Sequence, residues 1–122
     1  MTPSTLFKQI ELASPGFGAV AQEHFVDNGE LLPHLLMADL LRYIGASANR
    51  ASVTPASETE IRAALSVLEF AAGCGDPETE NVVAMSFCEC IESESFFPKL
   101  QPMLGLALRR AIRDRRKAAH AR

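Results

Sequence analysis

The chain has no Trp, one Tyr and seven Phe, and Leu and Ala outnumber the β-branched residues. That composition favours helix over sheet. No apolar run nears the ~20 residues that a membrane-spanning helix needs, so the sequence predicts no membrane partner. The opening MTPSTLFKQIELASPG lacks a basic leader followed by a long apolar stretch, so it does not read as a secretory signal. Three cysteines, at positions 74, 88 and 90, make no disulfide framework and suit a reducing, cytoplasmic setting. There is no His-x-x-x-His and no Cys-x-x-Cys pair, which removes the common zinc spacings. Gly16-Phe17-Gly18 is not followed by the further glycine or the Lys-Ser/Thr of a phosphate loop. No metal and no cofactor is expected.

What is present is a run of helical patterns with clear punctuation. The 122 residues are one domain's worth, about half of them apolar. Pro3 suits the first turn of a helix carrying Leu6, Phe7, Ile10 and Leu12. Ser14-Pro15-Gly16 breaks it, with Ser14 a candidate cap. A second helix presents Phe17, Val20, Ala21, His24 and Phe25. It stops at Asp27-Asn28-Gly29, where Asn28 or Gly29 can adopt the left-handed cap. A third, from about Leu32 to Ala46, carries Leu32, Leu35, Leu36, Leu40 and Tyr43. Residues 45–57 read as the longest loop. Ser57 and Glu60 have capping-box spacing ahead of a fourth helix that ends at Gly73. Asp76 and Pro77 then open a fifth, with Val83, Phe87, Cys90 and Ile91 on one face. A sixth runs from Pro102 to about Ala118, with Leu104, Leu106, Leu108 and Ile112 as its apolar positions.

No segment alternates with a period of two for long enough to make a strand. The expected fold is all-α: about six helices in a compact bundle, a single domain over residues 1–118, and a basic disordered tail at 119–122. Residues 57–73 and 77–94 have the proportions of a HEAT-type antiparallel hairpin.

Charge is unevenly spread. Residues 109–122 hold seven bases against one acid, and residues 1–108 hold five bases against fourteen acids. An acidic body with a basic end speaks to partners rather than to fold. Several acids of the fourth and fifth helices sit in first turns, where the dipole favours them. Glu89, Glu92 and Glu94 come late in the fifth, where the dipole opposes them, which points to a partner of positive charge. The arginine-rich end has two readings: a solvated helix terminus whose cations favour the dipole, or a phosphate contact for nucleic acid.

Three polar residues stand in the apolar stretch 27–44: Glu30, His34 and Asp39. Glu30 and His34 are four apart, but Pro33 discourages helix before it, so Glu30 falls just outside the helix as a cap or as a partner of His34. Asp39 has Arg42 and Tyr43 as helical neighbours. The three read as core or edge hydrogen bonds, as part of a docking surface, or as a small metal- or carboxylate-dependent active site, in that order. Cys88 and Cys90 lie about 200° apart around a helix and read as small apolar residues.

NGELLPHLLMADLLRYI (28–44) and ALSVLEFAAGCGDPETENVVAMSFCECI (64–91) together resemble small, all-helical bacterial proteins encoded beside toxin domains as immunity-type proteins. The likeness covers about 45 of 122 residues and is carried by the Gly-Glu-Leu-Leu-Pro-His run and by Gly75, Asp76, Asn81, Ser86, Phe87 and Glu89. It implies a non-catalytic binding protein that neutralises a toxin by covering its active site, with an acidic surface against a basic toxin domain. Glu30, His34, Asp39, Glu89 and Glu92 are the expected partner-binding positions, and no residue is expected to be catalytic.

Overall fold

The computed structural model describes residues 1–48 and 58–120. Every regular element among them is helical. They are α1 (Pro3–Ala13), α2 (Phe17–Asn28), α3 (Pro33–Ala48), α4 (Glu58–Ala71), α5 (Pro77–Val83), a π-helical turn (Ala84–Cys88), α6 (Glu89–Ile91), α7 (Phe97–Leu100), a 3-10 turn (Gln101–Met103) and α8 (Leu106–His120). The segment from α5 through the π turn to α6 is one uninterrupted rod, so the described residues form seven helical rods in place of the expected six. Ser57, the first residue of the predicted capping box, lies outside the described residues.

Local chemistry accounts for most of the boundaries. Thr2 caps α1 by accepting the Thr5 N–H, with Pro3 at the first helical position. Ser14 does not cap α2 with its side chain; it closes α1 instead, its N–H bonding the Ile10 carbonyl. Gly29 ends α2 at φ 73°, a backbone angle that a side chain would strain. Asp76 caps α5 through the Thr79 N–H, with Pro77 following.

Two expectations fail at α3 and α8. Gly45 does not open a loop; α3 continues through it to Ala48. The bare face of Gly45 is where the Phe96 ring packs, and a Cβ there would lie 2.1 Å from it. The last helix starts at Leu106 instead of Pro102, because the Pro102 region forms the short 3-10 turn.

A single core gathers Leu6, Phe7 and Ile10 of α1, Phe17 and Ala21 of α2, and Leu36, Met37, Leu40 and Ile44 of α3. Leu65 and Leu68 of α4 join them, with Val83, Phe87 and Ile91 of the α5–α6 rod and Leu108 and Ile112 of α8. Burying each large side chain contributes about 1.5–3 kcal/mol. The buried arcs are narrower than the apolar ones. Leu12, Phe25, Leu35 and Leu106 were expected inside but are exposed, Leu12 and Leu106 by 82% and 70%.

The π turn changes the rod's phase. Val82 and Phe87, and Val83 and Cys88, are each five apart and all buried, which is the π repeat rather than the α repeat. The inserted residue brings Cys88 inside and turns Cys90 out to the surface, reversing the expected face. Burial pushes the Cys88 thiol up to about 12.

Candidate functional site

The corner between α2 and α3 is built around His24. The spacing Phe17–Ala21–His24 turns the imidazole inward, leaving it 3% exposed. Its Nε2 lies 3.0 Å from the Leu32 N. A backbone N–H can only donate, so Nε2 is the acceptor and a neutral ring carries its proton on Nδ1. Asn28 adds a second tie, its Nδ2 donating to the His24 carbonyl at 2.8 Å. These bonds, with the glycine cap at 29, fix the direction in which the chain enters α3.

The same geometry leaves apolar side chains outside. Phe25, Val26, Leu32 and Leu35 are all exposed, four of the seven large apolar residues that the described chain leaves in solvent. They are close in sequence, but only Leu32 and Leu35 stand on the α3 side of the corner. Beside it lies a groove of about 350 Å³ lined by Val20, Glu23, His24, Asp27, Asn28, Leu35 and Asp39. Three carboxylates line it, and no Lys or Arg does. Arg42, on the outer side, is ion-paired with Asp39. Glu23 and Asp27 have no ion-pair partner among the described residues.

The predicted site residues separate into three places. Asp39 lines the groove and pairs with Arg42. His34 is exposed in the first turn of α3, where its Nδ1 lies 2.6 Å from Ser86 Oγ in the π turn. Glu30 is exposed in the link before α3 and makes no hydrogen bond or ion pair among the described residues. Asp39 and His34 therefore face different partners, and Glu30 reaches neither. Among the described residues no three His, Cys, Asp or Glu side chains gather where a metal ion could be held.

Glu89 opens α6 and Glu92 caps its end, both facing α8. Arg115 approaches Glu89 at 3.5 Å. Arg116 grips Glu92 with Nε at 3.2 Å and a second, Nη2 contact. The positive charge that their position late in a helix called for is thus present in the same chain.

The sequence reading missed Glu23, Asp27, Phe25, Val26 and Ser86. For Val26 the signal was there, since it falls off the Phe17–Ala21–His24 register, whereas Phe25 fits the apolar stripe and is nonetheless exposed. Ser86 had no local signal, since its contact depends on a fold that joins positions 34 and 86. Comparison with family models, with curated proteins and with solved structures finds no match for this chain.

Proposed function

We propose that the chain is a non-catalytic protein-binding module that engages a cationic partner through the α2–α3 corner. In its fuller form this is an immunity-type protein that neutralises a bacterial toxin by covering its active site. One observation carries the reading: exposed Leu35 shares a groove with the carboxylates Glu23 and Asp27, which have no ion-pair partner among the described residues, and exposed Leu32 stands beside it on a corner tied down by His24. Apolar anchors with a charged rim are the usual anatomy of a specific interface. A preformed corner also spares the ordering cost of binding. In this reading Glu30, His34 and Asp39 belong to the rim. Glu89 and Glu92 form a second acidic patch that joins the interface only if Arg115 and Arg116 are displaced. The pair α4 and α5–α6 is read as a HEAT-like hairpin whose α5–α6 arm packs against α3.

The immunity form requires a toxin domain encoded beside this gene, and its absence from the neighbouring genes refutes that form; where it is present, the test is protection from it. Co-expression of the wild-type chain is expected to restore growth at stoichiometric dose. The double variant Asp27→Lys, Leu35→Ser is expected to lose protection while keeping its helical circular dichroism. Full protection by the double variant refutes the corner. Protection at far below stoichiometric dose refutes the non-catalytic mechanism.

A further inference from the structure

The corner has a counterpart on the same chain. Leu108 and Ile112 turn α8 into the core. Leu106, Arg110, Arg113 and Lys117 recur at steps of four, three and four along its opposite side, and all are exposed. Arg115 and Arg116 are engaged by Glu89 and Glu92, whereas Arg110, Arg113 and Lys117 have no ion-pair partner among the described residues. The stripe therefore offers one apolar side chain and three unopposed cations along about 16 Å of helix.

We propose that a second copy of this chain occupies the corner, docking its α8 stripe against Leu32, Leu35, Glu23 and Asp27. This proposal rests on the corner being a docking surface. Charge complementarity names the occupant. Residues 1–108 carry a large excess of acid, which repels a polyanion but attracts the basic stripe of another copy. The two faces share no residue, so one molecule presents both, and the contact is head-to-tail. Docking covers Leu106 on one copy and the apolar corner on the other. A cationic partner protein would compete with the copy for the same carboxylates, so self-association falls as the partner binds.

Sedimentation velocity of the full chain tests the proposal. Wild type is expected to self-associate at about 0.1 M salt and to fall apart at about 1 M, where the screening length shrinks from about 10 Å to about 3 Å. The variant Asp27→Lys, Leu35→Ser and the variant Arg110→Glu, Arg113→Glu should each be monomeric. Mixed in equal amounts, they should form a dimer and stop there, because each keeps one working face. A monomeric wild type at low salt, association that survives either variant, or a mixture that stays monomeric overturns the proposal. So does a wild-type monomer that binds a labelled oligonucleotide through Arg110 and Arg113, which would give the stripe to nucleic acid. If growth protection still depends on Asp27 and Leu35 while the wild type is monomeric, the copy proposal alone falls. If the corner variant both protects and self-associates like wild type, the corner reading falls with it.

Discussion

Replacing Glu69 by alanine removes the acceptor that holds the start of α8. The Glu69 carboxylate, on α4, receives the Ala107 N–H at 2.6 Å and the Leu108 N–H at 3.0 Å. These are two of the donors that a helix N-terminus leaves without an internal partner. Negative charge there also favours the helix dipole. Hydrogen bonds to a charged group contribute about 1.5–3 kcal/mol each when shielded, and loss of a capping side chain costs about 1 kcal/mol. Glu69 is only half-buried, so water replaces part of what is lost, and about 2 kcal/mol is the expected cost of Glu69→Ala. At about 4 °C per kcal/mol for a domain of this size, Tm falls by about 8 °C. Gly105 supplies the control. A Cβ at Gly105 would lie 2.5 Å from the Glu69 carboxyl carbon, so Gly105→Ala evicts the same carboxylate and costs a similar amount. With Glu69 already gone, the three atoms that the added methyl would meet first are gone too. The double variant is therefore expected about 2 kcal/mol below wild type rather than about 4, a strong coupling on a double-mutant cycle. Urea unfolding followed by circular dichroism measures all four proteins. Additive losses, or a Glu69→Ala variant within about 0.5 kcal/mol of wild type, would show that the cap does not hold α8.

Two further outcomes follow from titratable groups. Donation from the Thr79 side chain and N–H holds the Asp76 carboxyl below its ordinary value of 3.8. A depressed folded-state pKa means that this stabilisation is complete above the unfolded value and is lost as pH falls through the folded one. Urea midpoints of wild type should therefore drop more steeply below about pH 4 than those of Asp76→Asn, which cannot titrate, and identical acid limbs would refute the assignment. The three cysteines should react in a fixed order. In native protein at mildly alkaline pH, a disulfide reagent should label exposed Cys90 and half-buried Cys74, while Cys88, buried and raised to about 12, reacts only on unfolding. Native labelling of Cys88 ahead of Cys90 would contradict the π phase shift.

Legibility in the sequence tracks the range of the interaction. Pro3, Gly29, Asp76 and Pro77 act within four residues of themselves, and their roles could be read directly. Helical periodicity located the all-α class and most of the core. It could not show how wide each buried arc is, because that depends on the neighbours: Leu35 and Leu106 fit an apolar stripe but are left exposed by the described helices. Nor could it show the π turn, whose extra residue looks the same in sequence as an ordinary α turn. Gly45 reads as a breaker until Phe96 is brought 51 positions back to lie on it. The Glu69 cap on α8, 38 and 39 residues away, and the His34–Ser86 contact, 52 residues apart, belong to the same class of fact.

The acids and bases show how a total charge misleads about partners. Glu89 and Glu92 oppose the dipole of their own helix, and taken alone that arrangement asks for an external cation. Arg115 and Arg116 supply it from α8, as partly solvated pairs near the surface that contribute about 1 kcal/mol each. Their pairing cancels part of the contrast between the acidic body and the basic end. What survives cancellation is smaller and better placed. Among the described residues Glu23 and Asp27 have no ion-pair partner and lie beside Leu35, and Arg110, Arg113 and Lys117 have none and lie on the same side of α8 as Leu106. Charge left over at an apolar edge is the physical mark of a surface that still has something to meet. On the proposed reading, recognition therefore turns on the α2–α3 corner and not on Glu89 and Glu92.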